Sequence, residues 1–192
     1  MKRNDRSLIA QLRTKIEKLK EAVSVLKRKL NEISHPNFLA GIKGEDLIVK
    51  LLQGKKSSGN ASYDLLLKNG AQVEVKYSKL NQPMKNASPA SFRWTWHSLL
   101  SGNVRAKKYS YIILIGENNG PYRINNDRAN YTYFFLTRRQ INNIVDKNSK
   151  RGHLNFFPKP RRKVNPRREQ LLAYRKTQTE MKQICRDIGK VK

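Results

Sequence analysis

The sequence predicts an α/β fold, a mixed sheet flanked by helices, with a coiled-coil helix at its N-terminal end and a basic helix at its C-terminal end. Three observations carry that expectation. An apolar heptad seam runs through residues 1–34, short alternating or β-branched runs recur between residues 62 and 136, and basic residues crowd around prolines beyond residue 150. The expected divisions are therefore a coiled-coil helix at 1–34, a core at 36–150 and a basic extension at 151–192.

The first helix follows from Ile9, Leu12, Ile16, Leu19, Val23, Leu26, Leu30 and Ile33, which recur at alternating spacings of three and four. With Ile9, Ile16, Val23 and Leu30 at a and Leu12, Leu19, Leu26 and Ile33 at d, the seam suits a parallel homodimer. The flanking e positions are Arg13, Lys20 and Lys27 and the g positions Lys15, Ala22 and Lys29, so a parallel pair brings Lys15 against Lys20. Packing on the chain's own core or on an acidic partner helix remains open. Pro36 interrupts this helix, because it lacks a donor and disfavours helical geometry in its predecessor. A second helix is expected over 38–53, ending at Gly54. Gly44 inside it is costly by about 1 kcal/mol, which suggests close approach of another element.

Residues 62–78 read as two strands joined at Asn69-Gly70, a pair suited to the positive φ angles of a two-residue hairpin turn. Residues 81–91 read as a loop and 92–100, FRWTWHSLL, as a short helix. On a regular helix Trp94 and Trp96 cannot both face the core, so the first expectation is one in the core and one covering the adjoining loop, and the alternative is that one stacks on a base or wedges into a duplex. The run 109–116, YSYIILIG, is a buried central strand, 117–130 a turn-rich loop and 131–136, YTYFFL, another strand. Thr137 caps a helix over 138–146. From Pro166 to Ile188 one amphipathic helix is expected.

Charge selects the partner. The 192 residues hold 41 Lys and Arg against 14 Asp and Glu, a formal charge of +27. That balance points to a polyanion, with nucleic acid favoured over a membrane, since no apolar run approaches about 18 residues. A basic, non-catalytic nucleic-acid-binding protein would explain the charge equally well. A single cysteine, Cys185, excludes an internal disulfide or a cysteine zinc site and suits a reducing cytoplasm. His35, His97 and His153 are too far apart in sequence for a local metal motif.

The chemistry centres on the second strand of the hairpin. Side chains alternate there, so Val73, Val75 and Tyr77 share one face and Gln72, Glu74 and Lys76 the other. Asp64 on the partner strand can project toward the Glu74–Lys76 side. Two carboxylates about 4 Å apart repel by about 4 kcal/mol at an effective dielectric of about 20, which calls for a cation or a raised pKa. Oxygen ligands with room for water suit Mg²⁺, with Mn²⁺ as a substitute, better than zinc.

The run GIKGEDLIVKLL, then Ser57-Ser58-Gly59, then YDLLLKNGAQVEVKYS, resembles the PD-(D/E)XK nuclease superfamily, whose fold is restriction-endonuclease-like. The resemblance covers roughly residues 38–80. It matches Glu45 to the helix acid, Asp64 to the first-strand acid, and Glu74 and Lys76 to the E-x-K pair, with Tyr63 standing where the superfamily name implies proline. It implies a Mg²⁺-dependent endonuclease of restriction, phage or mobile-element type, acting as a dimer, with junction-resolving or RNA-processing enzymes sharing the chemistry. Glu45, Asp64, Glu74 and Lys76 would be catalytic, and Asp64, Glu74, the Val75 carbonyl and Glu45 would hold metal. Lys79, Arg93, Trp94, Arg105, Lys107, Lys108, Arg161, Arg162, Lys163, Arg167 and Arg168 are the candidate nucleic-acid contacts, and no small-molecule cofactor is expected.

Overall fold

A computed structural model describes residues 3–34, 36–52, 54–58, 61–81, 91–101, 107–118, 124, 129–145, 151–159 and 166–188. The chain forms two compact units, Met1–Leu39 and Ala40–Lys192. The first holds α1 (Arg3–Ser34), which matches the heptad seam. Its Leu12, Ile16, Leu19, Val23, Leu26 and Leu30 are 48–65% exposed. Together they form one continuous apolar stripe along the helix. Next, α2 (Pro36–Leu52) starts on proline, whose missing N–H costs nothing at a helix start. This helix runs into the second unit, where Ile48 and Leu52 join the core.

The second unit is built on a six-stranded mixed sheet. In sequence its strands are β1 (Lys55–Lys56), β2 (Leu65–Leu66), β3 (Gln72–Ser78), β5 (Tyr111–Glu117), β6 (Tyr131–Thr137) and β8 (Arg175–Lys176). In space they run β1-β2-β3-β5-β6-β8, with β3 and β5 parallel and every other pair antiparallel. The run predicted as a central strand is β5, flanked by β3 and β6. Its alternation divides the core in two. Ile113 and Ile115, with Val73 and Val75 of β3, pack with α2 and with Met181. Ile112 and Leu114 face the other way, against Trp94, Trp96 and Phe156.

That second layer corrects the sequence reading. Residues 94–97 are not helical; they form β4 (Trp94–His97), antiparallel to β7 (His153–Phe156). On a strand the two tryptophans are i and i+2, so they share a face, and both are buried. Trp94 stacks on Phe156 at 5.5 Å and lies over Gly116, where an added Cβ would meet the indole at 2.3 Å. Its Nε1 donates to the Glu117 carbonyl at 3.0 Å. Trp94 is thus a core residue, which removes it from the candidate base contacts.

The hairpin turn differs in one detail. Leu67 N donates to Ala71 O at 2.9 Å and Gly70 N to Leu67 O at 3.0 Å, which makes a three-residue loop. Within it Gly70, at φ 81°, is the residue with positive φ, the usual pairing of a tight turn with one left-handed glycine. Thr137 caps α3 (Arg138–Ile144) as expected, and Gln140 completes a reciprocal capping box. The C-terminal helix is divided. It becomes α4 (Pro166–Leu172), then β8, then α5 (Gln178–Ile188). Strand pairing causes the division, because Tyr133 and Phe134 of β6 take Lys176 and Arg175 as partners. The pairings of β7 with β4 and β8 with β6 also cross the boundary expected at residue 150.

Candidate active site

The parallel register sets Glu74 beside Ile112 and Lys76 beside Leu114, on the face opposite Val73 and Val75. Leu65 pairs with Val73, so the antiparallel register brings Asp64 opposite Glu74. Asp64 N donates to Val73 O at 3.0 Å, and Val75 N donates to Asp64 Oδ2 at 2.8 Å. The carboxylate therefore takes the ladder position next to Val75 just before β2 begins. Strand periodicity turns the Val75 backbone toward the same edge. Glu74 is fully buried, and its Oε1 accepts from Lys76 Nζ at 2.8 Å.

Lys107 completes the cluster. Its Nζ also donates to Glu74 Oε1, from 33 residues away in sequence. The sequence marks it only as one of many basic residues, since nothing in its local pattern points to Glu74. The four groups condition one another. Burial, and then the charge of Glu74, raise Asp64 to about 6, against the Val75 N–H, Lys76 and Lys107. For Lys76 burial acts to lower the pKa, but Glu74 and Asp64 outweigh it and hold it above the usual lysine value. Burial and the neighbouring Lys76 instead lower Lys107, against the pull of Glu74.

Glu45 does not join this cluster. Its carboxylate lies 3.6 Å from Lys56, which binds Asp46 at 2.7 Å. The reason is the face that α2 covers. Gly44 lies on Tyr77, where an added Cβ would come within 2.7 Å of the Tyr77 Cβ, so α2 sits on the Val73–Val75–Tyr77 side of β3. The close approach anticipated at Gly44 is the contact that keeps its neighbour Glu45 from Glu74. Lys43 secures that packing, 3.1 Å from Glu117 and over the Tyr77 and Tyr131 rings at 5.2 and 5.6 Å.

Among the described residues no three His, Cys, Asp or Glu side chains gather closely enough to hold a metal ion. The donors that fit a divalent ion are two carboxylates, Asp64 and Glu74, with the Val75 carbonyl at the same edge. One observation favours a cation there. Glu74 Oε2 is buried without a hydrogen-bond partner, and a charged oxygen left so costs upwards of about 1–3 kcal/mol. Oxygen donors of this kind suit Mg²⁺ or Mn²⁺, with water and substrate completing the shell.

The expected nucleic-acid contacts separate. Lys79 and Lys108 are both exposed: Lys79 directly follows β3 and its charge acts on Glu117, on the side that α2 covers, while Lys108 adjoins Lys107 and has its backbone N bonded to Ser62 O at 3.3 Å. Arg93 is half-buried and exchanges backbone bonds with Asn81 at 2.8 and 3.0 Å. Arg167 is exposed on α4. Arg168 is taken up structurally: its guanidinium donates to the Phe157 and Pro158 carbonyls at 2.9 and 3.2 Å and covers Phe156. It therefore leaves the set of phosphate contacts. Arg105, Arg161, Arg162 and Lys163 lie outside the described residues. No helix among the described residues is long and apolar enough to cross a membrane. No protein-family model matches the chain, and no curated protein matches it.

Proposed function

We propose that the protein is a Mg²⁺-dependent endodeoxyribonuclease of the PD-(D/E)XK, restriction-endonuclease-like type, cytoplasmic, acting on double-stranded DNA as a restriction, phage or mobile-element enzyme. The observation that supports this reading is the meeting of Asp64, just before β2, with Glu74 and Lys76 of β3 in one cluster around the buried Glu74 carboxylate. Asp64 and Glu74 hold the ion, with the Val75 carbonyl beside them, and Mn²⁺ substitutes for it. When bound, the ion supplies a polarised water and offsets charge on the phosphate. Lys76, kept protonated by its two carboxylate neighbours, donates to the scissile phosphate and stabilises charge that develops in the transition state. Lys79, Lys108, Arg93 and Arg167 grip flanking phosphates without reading sequence. Two chains pair in parallel through α1, which presents two sites to the two strands and implies a target with two-fold symmetry.

A second reading has its own observation. Lys76 and Lys107 balance the charges of Asp64 and Glu74 within the protein, as a non-catalytic DNA-binding protein would also require. Plasmid incubated with the purified chain in Mg²⁺, and separately in EDTA, distinguishes the two. Nicking or linearisation that disappears in EDTA and falls at least about 100-fold in Lys76→Ala, with DNA still bound, is the expected result. Binding without cleavage in Mg²⁺ and in Mn²⁺ would leave the binding protein as the answer.

A further inference from the structure

Lys107 has a place in this site that the E-x-K pattern does not supply. The segment leading into β5 is fixed by three backbone bonds, two of them to the hairpin: Lys108 N to Ser62 O at 3.3 Å and Ser110 N to Gln72 O at 2.9 Å, with Lys107 N to Leu100 O at 3.4 Å beyond β4. These hold Lys107 at the edge of the cluster, its side chain 17% exposed and its Nζ on the oxygen that also takes Lys76. Two ammonium groups thus share Glu74 Oε1, while Oε2 has no partner. With both lysines in place, Asp64, Glu74, Lys76 and Lys107 sum to zero charge. A divalent ion adds two positive charges to that sum, so an ion and the second ammonium draw on the same carboxylate.

We propose that Lys107 gates metal loading: its ammonium competes with the divalent ion for Glu74, and once the ion is bound it turns to the substrate phosphate. This rests on the metal-dependent reading above. Lys107 is the lysine assigned this role because it arrives on a segment separate from β3, the strand that carries both Glu74 and Lys76. A phosphodiester arriving at the cluster gives the released ammonium a new anionic partner.

The test is Mn²⁺ affinity of the full chain, measured by calorimetry without nucleic acid. Lys107→Met is expected to tighten Mn²⁺ by about tenfold or more, because a competing charge has gone, whereas Lys107→Arg stays near the parent. Loss of a purely structural contact would weaken the site instead. If the Met variant does not fold, Lys107→Gln, which keeps a donor without the charge, carries the same expectation. Unchanged or weaker Mn²⁺ binding in the uncharged variant, with the parent binding normally, overturns the gating role and leaves the nuclease reading standing. Mn²⁺ bound by neither protein, with or without a duplex, overturns both.

Discussion

Asp64 shows how burial and a like charge act on one carboxyl. Its pKa is raised to about 6 from an ordinary value of 3.8, by burial first and by Glu74 second. An acid raised on folding binds protons more readily in the folded state, so its contribution is complete below about pH 4 and is lost as pH rises through about 6. Two units correspond to about 3 kcal/mol. Asp64→Asn mimics the protonated form and should remove this dependence. Urea denaturation is expected to show the variant gaining up to about 3 kcal/mol relative to the parent between pH 4 and pH 7.5. A difference between the two proteins that does not change with pH would show that Asp64 is not perturbed as described. Single residues also mark where sequence reading stops. Alternation placed Glu74 and Lys76 on one face, and the register confirms it. Glu45 and Lys107 were beyond reach, because their distances to Glu74 depend on which face α2 covers and on how the segment before β5 is laid down.

At the scale of elements, period decides what is legible. Leu12 through Leu30 repeat every three or four residues, and α1 is the helix that this repeat describes. Trp94 and Trp96 are two apart with Thr95 between them, a strand spacing in strand-favouring residues, yet four residues are too few for a period to show on its own. Pairing with β7, some sixty residues away, decides the conformation there. The same applies to the C-terminal segment, where bonding to β6 interrupts what reads as one amphipathic helix. The exposed stripe of α1 gives an element-scale prediction. Leu19→Glu combined with Leu26→Glu removes two d positions and, if α1 pairs two chains, should halve the mass in solution. Light scattering at matched concentrations checks this, and a parent protein that is already monomeric would rule out the homodimer.

The whole molecule carries +27 on 192 residues, a property spread too widely to belong to one element. Duplex binding should therefore be dominated by released counterions. Between 50 and 200 mM salt the affinity is expected to fall by about 10³- to 10⁵-fold if about 6–10 phosphates are contacted. A fall of less than about tenfold, measured by fluorescence anisotropy, would mean that few of these charges face the duplex. Composition is a sum over the chain, and helical and strand periodicity, the Thr137 cap and the Asp64–Glu74–Lys76 arrangement could be read along it because each rests on residues near one another in sequence. Long-range packing chose the rest: Lys107 at Glu74, Glu45 held away on the other face, Trp94 in the core and the basic tail drawn into the sheet. Those outcomes depend on which distant surfaces bury one another, and no local pattern encodes that choice.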